Sequence, residues 1–298
     1  MDNLTHSLVG ALIGQAGLKR RTGLAMPALI IGANIPDIDA GCVVYGMQSL
    51  AMRRGLTHGP IAMVLLPLIL AGLLWAFDRW QDKRGKRPAG RLPLHFGWLY
   101  ALSFIGCLTH PALDWLNVYG VRFLEPFSSR WFYGDTLFII DVWLWLGLGF
   151  ATWLSLRREK RGGEWRRPAR IALALGLLYV ILNGVWSSMA RLAEGASFET
   201  AISSPVPVAF WDREIIGLIR EGQYEIDGVR VGDCKLGRAV EVAGDSPDLH
   251  AFLFWSRAPF AERAPDGSVL LRDARFYDPR ARDRFTVALP DVKCLQAE

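Results

Sequence analysis

Leu108–Gly120, with the sequence LTHPALDWLNVYG, decides the fold, because it places two ionisable side chains at the end of an apolar run that begins at Leu94. His110 and Asp114 are four residues apart, so on a helix they lie on one face, about 6 Å from each other. An imidazole and a carboxylate in this arrangement can bind one metal ion. Ionisable groups in a membrane helix are costly unless they face a partner or a water-filled cavity. The stretch therefore predicts a metal site within a membrane domain.

Further ionisable residues of the same kind occur earlier in the chain. They are Asp2 with His6, Asp37 with Asp39, and His58. Several such groups in one membrane domain carry a large desolvation cost, which is typical of a functional site. We expect the chain to fold so that these groups meet His110 and Asp114. A purely structural role, as helix caps or as hydrogen-bonded contacts between helices, is the alternative.

Composition divides the chain into two regions. Of its 298 residues 51% are hydrophobic, and nearly all the long apolar runs lie before residue 193. This predicts a polytopic α-helical membrane domain, residues 1–192, followed by a small β-rich extracytoplasmic domain, residues 193–298. The net charge is +5, and the basic residues cluster in short loops between apolar runs. That distribution indicates membrane topology, so we expect the lipid bilayer as a partner and no nucleic acid.

Four apolar runs are long enough to be clear membrane spans. They are Ile61–Phe77, Leu94–Leu113, Thr136–Leu156 and Ile171–Met189. Two shorter runs, Leu4–Leu18 and Thr22–Ile35, fall below the roughly 20 residues that cross a bilayer comfortably, and they can be short spans, a re-entrant pair or buried core helices. If both cross, one side of the membrane receives sixteen Lys and Arg residues and the other only four. The positive-inside rule makes the basic side cytoplasmic, which puts the ionisable clusters and the second domain on the extracytoplasmic side.

Residues 193–298 are predicted to be mostly β. Asp227-Gly228, flanked by alternating residues within Tyr224–Val231, predicts a tight hairpin. We also expect strands at Leu249–Ser256 and Phe285–Leu289, a turn at Pro265–Gly267 between two more strands, and a short helix at Ile215–Arg220. Cys234 and Cys294 each follow a predicted strand, and the topology places both in an oxidising compartment, so we expect a disulfide between them. Cys42 and Cys107 are expected to remain reduced.

Mixed ligation by His and Asp suits zinc, which we favour, with manganese and iron as alternatives. The number of donors allows two ions, and such a pair can polarise a phosphoryl oxygen and activate water near neutral pH. Arg53 and Arg54, close to His58 in sequence, are candidates to bind a phosphate or carboxylate group of a substrate. The alternative for these two arginines is an interfacial pair that extends towards the membrane surface.

Four motifs resemble a known family when they are taken in order. They are NLTHSLVG at Asn3–Gly10, ANIPDID at Ala33–Asp39, RRGLTHG at Arg53–Gly59, and the stretch Thr109–Gly120. Residues 1 to about 190 resemble the membrane-bound metal-dependent hydrolases, a family that includes LexA-regulated inner-membrane hydrolases of bacteria. The resemblance implies a bacterial inner-membrane protein and metal-dependent hydrolysis, with a distant likeness to zinc-dependent phospholipase C. Matched by motif, it implies as metal-site residues His6, Asp37, Asp39, His58, His110 and Asp114.

The expected function is hydrolysis of a phosphoester in a lipid or lipid-linked substrate at the extracytoplasmic face. Asp39 or Asp135 would act as the general base. Amide or carboxylester hydrolysis would use similar ligands. A metal-ion transporter is one alternative, but it would require polar groups in the cytoplasmic halves of the spans, which are apolar here. The other alternative is a non-catalytic membrane scaffold whose β domain binds a partner.

Overall fold

A computed structural model describes residues 1–278 and 282–297. The chain divides into two compact units, of which the first comprises residues 1–39 and 54–184 and the second residues 40–53 and 185–298. Residues 40–53, which we assigned to the membrane domain, therefore group with the second unit. The functional boundary near residue 192 stays a prediction.

The N-terminal region is helical. Its α-helices are α1 (Asn3–Gln15), α2 (Ala25–Gly32), α3 (Ser49–Met52), α4 (Pro60–Lys83), α5 (Phe96–Trp115), α6 (Val142–Lys160) and α7 (Arg166–Ala193). A 3₁₀ segment, Ile35–Gln48, joins α2 to α3, and a shorter one, Leu56–His58, precedes α4. Asp2 caps the start of α1, because its carboxylate accepts hydrogen bonds from the backbone N–H groups of Leu4 and Thr5.

Among the described residues, four helical stretches are long and apolar enough to cross a membrane. They are Ala25–Met52, Pro60–Lys83, Phe96–Trp115 and Arg166–Ala193. The predicted helical membrane region is thus confirmed, and it is followed by antiparallel β-sheets. At 13 residues α1 is about 20 Å long, shorter than the roughly 30 Å hydrocarbon core, and it packs against α2 and α6.

The sequence prediction placed the start of this span too early, at Thr136. The helix α6 starts at Val142, because the carboxylate of Asp141 caps the helix by accepting a hydrogen bond from the backbone N–H of Leu144. The backbone N–H groups of Thr136 and Leu137 instead donate to the carbonyl of Leu116, which ties this segment to the end of α5. The last turn of α6 carries several charged side chains, and α6 is not among the four candidate spans.

Two glycines allow α1, α2 and α5 to approach closely. A Cβ atom at Gly10 of α1 would lie 2.8 Å from the carbonyl oxygen of Leu29 in α2, and one at Gly106 of α5 would lie 2.5 Å from the same oxygen. The backbone of α2 therefore lies directly against both neighbours. Gly10 is one turn after His6 and Gly106 one turn before His110, so this packing determines how near the two histidines lie.

The part of the second unit that the structure describes contains two antiparallel sheets. Its strands are β1 (Thr200–Pro205), β2 (Arg213–Arg220), β3 (Gln223–Ile226), β4 (Val229–Val231), β5 (Pro259–Arg263), β6 (Ser268–Asp273) and β7 (Val287–Lys293), and its later helices are α8 (Leu236–Ala243) and α9 (Pro247–Trp255). One sheet has the order β1-β2-β3-β4 and the other β5-β6-β7. The largest buried side chains of this unit are Trp255, Phe252 and Phe260.

Local turn chemistry is confirmed at two positions in this unit. Asp227 and Gly228 have φ angles of 47° and 80° and join β3 to β4 as a two-residue hairpin. Pro265–Gly267 is the turn between β5 and β6. The strand predicted at Phe285–Leu289 is β7, displaced towards the C-terminus.

Two predictions in this unit are wrong. Ile215–Arg220 is part of β2 rather than a helix, because its backbone pairs with β1 on one side and β3 on the other. Leu249–Ser256 lies mainly in α9 rather than in a strand. Leu249, Phe252 and Trp255 recur at three-residue spacing and are all buried, which is the periodicity of a helix packed on a core.

The predicted disulfide is confirmed in the structure. Cys234 and Cys294 are bonded, with Cα atoms 5.3 Å apart. Cys234 forms single antiparallel bridges to Ala261 and Gln296, so the bond links segments that already lie side by side. Cys42 and Cys107 are free cysteines, as expected.

Candidate metal centre

Four ionisable residues of the first unit bring donor atoms to one point. Asp37, His58, His110 and Asp114 each offer one atom, and these atoms all lie within 4.8 Å of one another. Asp114 is central: its Oδ2 lies 3.3 Å from Nε2 of His58 and 3.5 Å from Nε2 of His110. Nε2 of His110 is also 3.5 Å from Oδ1 of Asp37. The structure therefore brings together four of the six residues that the motifs implied.

Hydrogen bonds outside this group orient its two histidines. Nδ1 of His110 lies 2.7 Å from the carbonyl oxygen of Ala33, which accepts only, so Nδ1 carries a proton and, in the neutral ring, Nε2 carries a lone pair. The Thr57 hydroxyl donates to Oδ2 of Asp39 at 2.8 Å and lies 2.9 Å from Nδ1 of His58. Since its single proton is used on Asp39, the hydroxyl accepts from Nδ1 of His58, and in the neutral ring Nε2 of His58 also carries a lone pair. This is the arrangement in which metal-ligating histidines are found.

The donor atoms fit one small cation. Two ligand atoms of a tetrahedral zinc site, each about 2.0–2.1 Å from the ion, lie roughly 3.3–3.4 Å from each other. The separations between Asp114 and the two histidines are 3.3 and 3.5 Å. Nε2 of His58 and Nε2 of His110 are buried and make no hydrogen bond, while Oδ2 of Asp114 is buried and ion-paired with Nε of Arg54. Buried polar atoms without partners are unfavourable, and a cation bound beside Asp114 would satisfy both nitrogens.

His6 lies beside this group rather than within it. Its ring stacks on that of His110, with centroids 3.9 Å apart and an interplanar angle of 16°. Its Nε2 is 3.4 Å from Oδ1 of Asp114, and both of its ring nitrogens are buried without a hydrogen-bond partner. The two carboxylate oxygens of Asp114 therefore face different imidazoles.

Asp39 contacts the group through its neighbours. Its Oδ2 accepts hydrogen bonds from the backbone N–H of Arg54 and from the Thr57 hydroxyl, both at 2.8 Å, and lies 3.5 Å from Nδ1 of His58. Its other oxygen, Oδ1, is buried and makes no hydrogen bond. One oxygen thus holds the segment that carries His58, while the other is available to a ligand or to water.

The two arginines proposed to bind substrate have different positions. Arg54 is buried, with Nε 3.0 Å from Oδ2 and Nη2 3.2 Å from Oδ1 of Asp114, and its Nη1 donates to Oδ1 of Asn117 at 2.9 Å. Its guanidinium group is therefore directed to protein partners. Arg53 directly follows α3, and its backbone N–H donates a hydrogen bond to the carbonyl of Ser49. It belongs to the second unit.

Asp135 lies in the loop before α6, buried and with a φ of 49°. Its role as a general base stays a prediction. The α-amino group of Met1 contacts Oδ1 of Asp114.

Sequence reasoning missed three groups that hold the ligands. They are the Thr57 hydroxyl, the Ala33 carbonyl and the Asn117 side chain. Thr57 and Asn117 do lie inside the quoted motifs, three residues or fewer from His58 or Asp114. Their position beside a candidate ligand was the available signal. The Ala33 carbonyl could not be identified from sequence, because every residue carries a carbonyl group.

The fold and the site together define a class: a polytopic helical membrane protein with a buried cluster of histidines and aspartates. The chain belongs to the YdjM inner membrane protein family, whose family model matches residues 1–190. No curated protein and no solved structure matches the chain. The family match confirms the inner-membrane location expected from the sequence.

Proposed function

We propose that this protein is a metal-dependent hydrolase that cleaves a phosphoester in a lipid or lipid-linked substrate at the extracytoplasmic face. The observation that supports it most directly is a pair of buried imidazole nitrogens, Nε2 of His58 and Nε2 of His110, that make no hydrogen bond and lie 3.3 and 3.5 Å from the same oxygen of Asp114. Asp37 would complete the ligand set. Two imidazoles and two carboxylates favour zinc, with manganese or iron as the alternatives.

The chain's own residues have definable roles in such a reaction. A divalent ion held here would supply Lewis acidity that polarises the ester and makes water more acidic. Oδ1 of Asp39, buried and without a hydrogen-bond partner, can accept a proton from the attacking water. Arg54 holds both oxygens of Asp114 and so keeps the carboxylate oriented. Its role is to position this carboxylate.

Exposed apolar side chains beside the ligands favour a substrate that arrives from the lipid phase. Ile38, between Asp37 and Asp39, is 58% exposed, and Leu56, two residues before His58, is 63% exposed. Apolar side chains at such positions are typical of surfaces that contact lipid or an apolar partner. A lipid-linked phosphoester could bring its headgroup to the donor atoms while its chains stay in the bilayer.

The neighbouring part of α5 supports an enzyme over a cation pathway. Leu99, Leu102 and Cys107 are buried in the part of α5 that precedes His110, where Ser103 contributes one buried hydroxyl, and Cys107 contacts the sulfur of Met63. A cation pathway would need a continuous series of polar groups along this segment. The disulfide between Cys234 and Cys294 favours an oxidising compartment for the second unit, in agreement with the topology predicted from charge.

Metal analysis of the purified full-length protein tests the proposal. We expect zinc, manganese or iron to copurify with the wild type and to be lost from His110→Ala and Asp114→Ala. His95→Ala is the matched control, because His95 lies at the other end of the same helix and is exposed. Loss of metal from His95→Ala as well, or full retention by His110→Ala, would contradict the site.

An activity assay then tests the reaction. Metal-loaded wild type should hydrolyse a chromogenic phosphodiester or phosphatidylglycerol in mixed micelles, and the two ligand variants should not. A protein that binds metal but cleaves neither ester would disprove the phosphoesterase while leaving the metal site intact.

A further inference from the structure

A long apolar groove runs between α6 and α7, separate from the metal centre. It has a volume of about 680 Å³, and its walls include Leu144, Leu148, Ala151, Ile171 and Leu175. Along α6 it extends from Trp143 to Arg158, roughly 22 Å at 1.5 Å per residue. One leaflet of a bilayer provides about half of a 30 Å hydrocarbon core, so the groove can hold an acyl chain.

Two arginines border one end of this groove. Arg158 of α6 and Arg167 of α7 both line it, and neither guanidinium makes an ion pair or hydrogen bond with residues 1–278 or 282–297. Some basic side chains in the same group of loops do form ion pairs: Arg87 and Arg91 with Asp78, and Lys19 with Glu159. A groove with apolar walls and two unpaired cations at one end is complementary to an amphiphile with an anionic head.

We propose that the groove binds one anionic glycerophospholipid, with an acyl chain between α6 and α7 and the phosphate beside Arg158 and Arg167. Arginine suits this position because its guanidinium can bind a phosphate through two parallel hydrogen bonds. Basic pockets between membrane helices are known sites for anionic lipid headgroups. The lipid would stabilise the contact between two helices, and its binding does not depend on hydrolysis at the metal centre.

Native mass spectrometry of the delipidated full-length protein tests the charge requirement. The protein is incubated in mixed micelles with dioleoylphosphatidylglycerol or dioleoylphosphatidylcholine, and retained lipid is counted. We expect at least about tenfold preference for the anionic lipid, lost in Arg158→Gln/Arg167→Gln. Arg157→Gln removes the same charge, but the Arg157 guanidinium lies 5.1 Å from the Trp153 ring and does not line the groove, so it should keep the preference.

A steric pair of variants tests the groove itself. Gly147 lines it and Gly149 does not, and a Cβ atom at either position would meet no heavy atom within 4 Å. Gly147→Leu should fill the groove and reduce retained phosphatidylglycerol at least about fivefold, while Gly149→Leu should bind like the wild type. Equal retention of both lipids by the wild type, or unchanged binding by Gly147→Leu, would overturn the proposal.

Discussion

The imidazole of His6 lies flat against that of His110, with ring centroids 3.9 Å apart and ring planes 16° from parallel. The two residues are 104 positions apart and lie on α1 and α5. What brings them together is the backbone of α2: the Leu29 carbonyl lies against Gly10 and Gly106, each one turn from one of the histidines. The geometry of the metal centre therefore depends on two glycines that carry no chemistry.

Replacing Gly106 by alanine should separate α5 from α2. The added Cβ would lie 2.5 Å from the Leu29 carbonyl oxygen and 3.0 Å from the Ala33 backbone nitrogen, and neither backbone atom can move independently. We expect Gly106→Ala to lower the free energy of unfolding by about 1–3 kcal/mol and to reduce bound metal. Thermal unfolding in detergent and metal analysis provide the two measurements.

Gly97→Ala is the control on the same helix, because a Cβ there meets nothing within 4 Å. It should leave both stability and metal content near the wild-type values. Equal behaviour of the two variants would show that close packing at Gly106 does not position His110.

Removing the Thr57 hydroxyl should weaken metal binding without removing a ligand. Thr57→Val keeps the shape of the side chain but leaves Nδ1 of His58 and Oδ2 of Asp39 without their shared partner. Loss of such an outer hydrogen bond typically costs about 10–100-fold in metal affinity, and we expect a change in that range. Competition with a chromogenic chelator measures it.

Thr152→Val makes the same substitution on α6, where the hydroxyl donates to the carbonyl of Leu148. It should leave metal affinity unchanged. An unaltered affinity in Thr57→Val would mean that His58 is oriented by other contacts.

The positive-inside bias predicts the orientation of the chain in the membrane. Reporters inserted in the basic loops 78–93 and 157–170 should indicate the cytoplasm, and a reporter at the C-terminus should indicate the extracytoplasmic side. Reporter activity in intact cells is the measurement. A cytoplasmic C-terminus would mean that the spans are miscounted or the charge bias is misread, and the face assigned to the metal centre would then be wrong.

Glu214 should make the stability of the second unit depend on pH. Burial, together with Asp227 and Asp278, raises the pKa of Glu214 to about 7. A pKa that is higher in the folded state favours the protonated form, so its stabilising contribution is complete below the ordinary pKa of about 4.5 and is lost as pH rises to 7. Wild-type β1–β2 amides should therefore exchange hydrogen more readily, after correction for intrinsic exchange, at pH 7.5 than at pH 5.

Glu214→Gln should remove most of this dependence and protect the same amides better than the wild type at pH 7.5. The matched control is Glu199→Gln, since Glu199 is exposed. If both variants retain the wild-type pH profile, Glu214 is not the group responsible.

Several features were determined by the sequence itself. The helical membrane class follows from the length of the apolar runs, and the hairpin at Asp227-Gly228 follows from residues that accept positive φ. Both are local properties, in which the side chains decide the conformation of their own segment. His110 and Asp114 also lie on one face of α5, as their spacing required.

Only the tertiary structure decided what depends on partners distant in the chain. Ile215–Arg220 became a strand because β1 and β3 pair with it, and Leu249–Ser256 became mostly helix because its apolar side chains fit one core. The guanidinium of Arg54, expected to face a substrate, is directed to Asp114 and Asn117 instead. In these places the free energy gained from long-range hydrogen bonds and from burial outweighs the local preference for helix or strand. The type of a residue also does not specify which distant group will be its hydrogen-bond partner.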